Sequence, residues 1–216
     1  MVRELVREWP DVQKTGVEVS RADNVREWTK RETKLGNPAL EAEVKRNPTP
    51  DLKQAWAWSV AINEEVAKTV HSVPPFPLVG ESLQKLTKKA DVVVVSATPG
   101  EALQREWAEH DIAKYAQVIA GQEMGSKSQH LTLAGKPNYP ADHILMVGDA
   151  PGDMKAARDV GGLFFPVTPG KEEQSWQIFY NEALEKFFNG TYAGSYETAL
   201  IADFDKHLPK TPPWKE

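Results

Sequence analysis

The sequence predicts an α/β protein, a parallel sheet flanked by helices and preceded by a helical domain. Two observations predict it. Val92–Val95 and Ile144–Val147 are short, wholly apolar runs, and such runs read as strands buried on both faces, the pattern of a parallel sheet. Each leads at once into a helix signal, whereas residues 1–72 carry helix signals and almost no strand signal. A chain of 216 residues is long enough for one good core and a smaller domain beside it. Cys is absent, so neither disulfides nor thiolate metal sites contribute. No apolar run approaches the length that spans a bilayer, and the charged, periodic start is unlike a signal peptide. These features give the expectation of a cytoplasmic protein. A net charge of −5 gives no electrostatic case for nucleic acid or an anionic membrane as partner.

In the helical domain, Leu5, Val6 and Trp9 form an amphipathic turn pair ended by Pro10. A second helix runs through Val25, Trp28 and Thr29, with Asp23 or Asn24 as its cap. Asn37-Pro38 and Asn47-Pro48-Thr49-Pro50 read as breaks. Asp51 then caps a helix with the apolar stripe Leu52, Ala55, Trp56, Val60, Ile62, Val66 and Val70. Four of the seven Trp lie in this region and read as its core. The proline-rich run from His71 to Pro77 is a stiff connector, which sets the domain boundary at 72/73 and leaves 73–216 as the α/β domain.

A helix from Leu78 to Lys88 opens that domain and leads to the first strand. Thr98 and Glu101 read as a capping box with Pro99 at the first helical position. That places Ser96 at the strand end, facing a helix amino terminus with free N–H groups, a ready anion site. Residues 115–120 suggest another short strand. Lys127 follows Ser126, a plausible helix cap, although a lone Lys is ordinarily a solvated surface residue. His130 and His143 show no ligand spacing and read as structural.

The chain is organised around His143–Gly162. Its apolar strand ends at Asp149, Pro151-Gly152 breaks the extended run, and a helix pattern through Met154, Ala156, Ala157 and Val160 closes at Gly161. Asp149 and Asp153 therefore stand at the carboxyl end of a strand and in the first turn of the next helix, where open α/β sheets bind ligands. Taken singly, Asp149 is a turn former and Asp153 complements the helix dipole. Together, two carboxylates beside small residues suit a hard cation such as magnesium. Beyond them, Leu163–Val167 reads as a last strand. Thr168-Pro169 opens a helix with Trp176, Phe179, Leu184 and Phe187 on one face, and Asn189-Gly190 ends it. Ser195 to Leu208 has helical spacing and stops at Pro209.

At these residues the chain resembles the haloacid dehalogenase-like superfamily. Gly148, Asp149 and Asp153 match its fourth motif, an apolar strand followed by Gly-Asp-x-x-x-Asp. The strand ending in Ser96 resembles the second motif, whose Ser or Thr hydrogen-bonds phosphate, and Lys127 matches the Lys between those motifs, with Lys136 as the fallback. The resemblance implies a Rossmann-like sheet with residues 1–72 as a helical cap domain. It further implies a Mg2+-dependent phosphohydrolase that acts on a small phosphorylated metabolite through an aspartyl-phosphate. Ser96 and Lys127 would be catalytic helpers, and Asp149 and Asp153 metal ligands.

One departure stands out. The family's first motif, a strand ending in Asp-x-Asp that supplies the nucleophile, does not occur before Ser96. Family strand order puts that strand between the second- and fourth-motif strands, so both are expected to face an unpaired edge. The expectation is therefore a first strand encoded upstream of Met1, or a degenerate, non-catalytic module. The sole Asp-x-Asp, Asp203-Phe204-Asp205, would instead imply a circular permutation, against which stands the helical spacing around it. The nucleophile is unassigned.

Overall fold

Two units make up the chain as the computed structural model describes it, over residues 6–18, 21–32, 35–208 and 211; the first reaches to Val70 and the second is His71–Leu208. The first unit is helical. Its elements are α1 (Pro10–Lys14), α2 (Asp23–Arg31), α3 (Asn37–Arg46) and α4 (Pro50–Thr69). Proline stands in the opening turn of α1, α3 and α4, where its fixed φ suits a helix start and its missing N–H is no loss. Pro10 and Pro38 therefore open helices, and the helical residues 6–8 stop before Pro10 as expected. Leu5 of that expected turn lies outside the described residues.

Trp28, Leu40 and Leu52 form the core of this unit, with Val25, Ala39, Val44, Ala55 and Trp56 packed against them. Trp9 and Trp58 are exposed, so only part of the tryptophan set is core. On α4, Ile62, Val66 and Val70 are exposed too, and burial of the expected stripe fades past Val60. Neither expected acidic cap forms. Ala22, at φ 46°, precedes α2, and Thr49 precedes α4. Asp51 instead ties the two helices together: it accepts the Asn24 backbone N–H at 2.9 Å and side-chain Nδ2 at 3.0 Å, and the Thr49 hydroxyl at 2.7 Å. Burial alone pushes the Asp51 carboxyl up, but the donors from Thr49 and Asn24 outweigh it and hold the pKa at about 2. Glu43, buried on α3, accepts from both Arg31 and Arg46.

The second unit is α/β. In order come α5 (Val79–Leu86), β1 (Val93–Val95), α6 (Gly100–Glu109), β2 (Val118–Ala120), α7 (Lys127–Ala134), β3 (Leu145–Gly148), α8 (Pro151–Asp159) and β4 (Leu163–Pro166). Then follow α9 (Glu172–Ile178), a π-helical turn (Phe179–Ala183), α10 (Leu184–Phe188) and α11 (Ser195–Lys206). The strands form two separate parallel pairs, β1 with β2 and β3 with β4, and not one sheet. Among the described residues no strand joins β1 to β3. That gap also explains why β1 is only half-buried where burial on both faces was expected, while β4 is buried throughout.

Val95, Leu131, Met154, Ile201 and Leu208 pack around buried Met146, Ala157, Phe164 and Phe204, so both strand pairs contribute to one cluster. The π-helical turn accounts for the five-residue step from Phe179 to Leu184. One residue of extra winding keeps Phe179, Ala183 and Leu184 all buried against Phe165 and Tyr192. Thr168-Pro169 lies before α9 and does not open it. Asp203 and Asp205 lie within α11 and end no strand, which removes the structural basis for the permuted reading.

The outer edge of β4 is closed by side chains. Glu197, on α11, accepts the Phe164 N–H at 2.7 Å, and the Tyr192 hydroxyl donates to the Phe164 carbonyl at 2.8 Å. Arg158 completes the closure, pairing with Glu197 at 2.9 Å and donating to the Gly162 carbonyl at 2.9 Å. These bonds stand where a further strand's backbone would.

Two outcomes are expected. Tyr192→Phe, which leaves the Phe164 carbonyl unpaired in the core, lowers unfolding stability by about 1–3 kcal/mol in urea denaturation; an unchanged midpoint would contradict the edge closure. Asp51 titrates near 2 when its carboxyl carbon is followed by NMR. Its folded pKa lies below that of the unfolded chain, so its stabilisation is complete above about pH 4 and is lost as pH falls toward 2. A midpoint near 4 would contradict the donor set.

Candidate functional site

Two carboxylates four residues apart are placed very differently by the turn from β3 into α8. β3 ends at Gly148, Asp149 follows, Ala150 caps α8 and Pro151 is in its first turn. Asp153, at the third helical position, reaches back to accept the Ala150 N–H at 3.2 Å. Its side chain is only 1% exposed. Gly148 makes this possible, because a Cβ there would overlap the Asp153 carboxyl group. At its far end α8 closes as expected on Gly161, at φ 76°. The Gly161 N–H bonds the Arg158 carbonyl at 3.0 Å and the Gly162 N–H bonds that of Ala157 at 2.9 Å.

Lys127 meets the buried acid. It is the first residue of α7, and Ser126 caps that helix in a full capping box. The Gln129 N–H donates to Ser126 Oγ at 3.3 Å and the Ser126 N–H to Gln129 Oε1 at 2.8 Å. So held, Lys127 extends its ammonium onto Asp153, with which it forms an ion pair and hydrogen bond. The Ser128 hydroxyl donates to Asp159 at 2.7 Å, a second tie between α7 and α8. Asp149 is exposed, and among the described residues its carboxylate has no hydrogen bond or ion pair. Lys136 is exposed in the turn after α7 and His143 is also exposed, whereas His130 is buried on α7 with both ring nitrogens unpartnered.

Ser96 follows β1 directly. Its N–H donates to the Ala120 carbonyl at 3.0 Å, and its hydroxyl oxygen accepts the Thr98 N–H at 3.0 Å. The expected capping box from Thr98 and Glu101 is absent, since Pro99 caps α6 with no side-chain bond. Nor is the first N–H of α6 free. The Gly100 N–H donates at 3.1 Å to Glu123, a residue no motif singles out. Ser96 has no described hydrogen bond to Lys127, Asp149 or Asp153. Its neighbour Val95 does share one apolar cluster with Leu131 of α7 and Met154 of α8, so the elements bearing the four residues pack together.

Magnesium needs one or two protein carboxylates, the rest of its shell being water and phosphate oxygen. Among the described residues no three His, Cys, Asp or Glu gather into a metal cluster. The donor set here is all oxygen: Asp149 is free, and Asp153 is shared with Lys127. That chemistry fits a partly hydrated hard cation and suits zinc poorly.

A family model described as haloacid dehalogenase-like hydrolase matches residues 17–167, more than two thirds of the chain, and spans Ser96, Lys127, Asp149 and Asp153. No curated protein matches the chain. Among the described residues, no helix is long and apolar enough to cross a membrane.

Two substitutions probe the pair. Lys127→Met leaves the Asp153 carboxylate buried without its cation. The expected cost is about 2 kcal/mol in chemical unfolding, below the usual 3–5 for a fully buried pair because Lys127 is partly solvated. Gly148→Ala forces Asp153 aside and is expected to destabilise by a similar amount, about 1–3 kcal/mol. Wild-type stability in both variants would contradict the pairing.

Proposed function

The chain belongs to the haloacid dehalogenase-like hydrolase family, and from that premise we propose a Mg2+-dependent phosphohydrolase acting on a small phosphorylated metabolite in the cytoplasm. The observation that carries this reading is the Lys127–Asp153 pair beside a free Asp149 at the end of β3. Asp149 and Asp153 are the residues that would hold Mg2+, which when bound neutralises phosphoryl charge and polarises a phosphoryl oxygen. Lys127, oriented by its capped helix and by Asp153, offsets the charge of the phosphoryl group. Ser96 donates its hydroxyl proton to a phosphoryl oxygen. The helical N-terminal unit is proposed as a cap that shapes substrate choice. Carboxylates in the fourth motif favour phosphoryl transfer over dehalogenation, which in this family works without the metal.

The nucleophile remains unassigned, and this supports a second reading. The sole Asp-x-Asp of the chain lies within α11, so no described strand end aims such a pair at phosphorus. A module that binds Mg2+ and phosphate without turnover is therefore the alternative.

The test is Mg2+-dependent phosphate release from a panel of small phosphomonoesters, with phosphate binding measured alongside. The catalytic reading expects release that EDTA abolishes and that Asp149→Asn lowers by about 100-fold or more. Asp203→Asn, on α11, is expected to change nothing. Without an aimed carboxylate the release rate is expected to lie several orders of magnitude below that of a complete catalytic unit. Binding without release would favour the module. Release or binding indifferent to Asp149→Asn would remove the site assignment.

A further inference from the structure

Glu123 belongs to none of the motifs that single out Ser96, Lys127, Asp149 and Asp153, yet it touches the turn that carries Ser96. We infer that Glu123 is a positioning residue for Ser96: its carboxylate ties the loop after β2 to the turn after β1 and so fixes the Ser96 hydroxyl. The inference rests on the reading of Ser96 as a phosphoryl contact.

Three features hold the two loops together. Glu123 Oε2 accepts the Gly100 N–H at 3.1 Å, and the Gln122 N–H donates to the Thr98 carbonyl at 3.1 Å. Gly121 passes so close to Gly100 that a Cβ on it would overlap the Gly100 backbone nitrogen, so only glycine permits the approach. Within the turn, the Thr98 N–H occupies one lone pair of Ser96 Oγ, and Pro99 has no N–H to offer. The Ser96 hydroxyl proton is thereby directed away from the turn and left to donate to an incoming oxygen. With the Gly100 N–H already taken by Glu123, the Ser96 hydroxyl is a side-chain donor held beside the start of α6. Glu123 is exposed, so its bond adds little to global stability, and its effect is local.

The experiment compares wild type, Glu123→Gln and Glu123→Ala as full chains. It reads amide hydrogen exchange of Thr98 and Gly100 by NMR, inorganic phosphate affinity in Mg2+, and the thermal midpoint. Glutamine keeps an oxygen able to accept the Gly100 N–H, so it is expected to match wild type throughout. Alanine is expected to speed both exchanges about tenfold and weaken phosphate binding about tenfold, at an unchanged midpoint. Unchanged exchange in the alanine variant overturns the inference. So does glutamine behaving as alanine, or phosphate binding as tightly to the alanine variant as to wild type. If wild type binds no phosphate, the reading of Ser96 fails, and exchange alone decides whether Glu123 holds the turn.

Discussion

A carboxylate almost wholly removed from water costs several kcal/mol unless a cation and donors meet it, and Asp153 is such a group. Its demand explains several features around it. Gly148 leaves out a side chain because the acid stands over it. Ser126 and Gln129 cap α7 so that its first residue, Lys127, can reach the acid. The pair thus fixes the start of α7 against the start of α8. It also leaves two neighbouring acids in different surroundings: Asp153 is buried and paired with Lys127, while Asp149 is exposed.

The same unit shows two ways of treating a strand edge. On the β4 side, Glu197, Tyr192 and Arg158 satisfy the backbone with side-chain groups, so the sheet stops there without exposing unpaired peptide groups to another strand. On the other side, β1 and β3 each have one partner strand, and among the described residues no strand joins the two. What spans the division between the strand pairs is packing, through Val95, Met146 and Phe164 in one cluster. Apolar packing is less directional than a hydrogen-bonded ladder, which fits a half-buried β1 beside a fully buried β4.

Much of the secondary structure around the candidate site is legible in the sequence because its signals are local. The apolar runs Val92–Val95 and Ile144–Val147, which supply β1 and β3, the Ser126 cap and the Gly161 closure each depend on residues within a few positions of one another. The misreadings share the opposite cause. Thr98 and Glu101 have the spacing of a capping box, but the Thr98 N–H goes to Ser96 Oγ, and a distant carboxylate, Glu123, takes the Gly100 N–H. Asp51 has the position of a cap, yet Asn24, on another helix, claims it. Burial on both faces was inferred for β1 from composition alone, although burial depends on a neighbouring strand. The close approach of Gly121 to Gly100 is a pairing of remote backbones that no local pattern encodes.

The most direct measurement is a titration of the full chain with Mn2+ in place of Mg2+, followed by paramagnetic broadening of assigned amide signals. Both ions favour oxygen-rich octahedral sites. The expected result is broadening centred on Asp149, Ala150 and Gly152, spreading to Lys127 and Ser96, and lost in Asp149→Asn. Broadening centred elsewhere, on Asp203 and Asp205 of α11 for example, or unchanged in Asp149→Asn, would contradict a metal site organised by the Lys127–Asp153 pair.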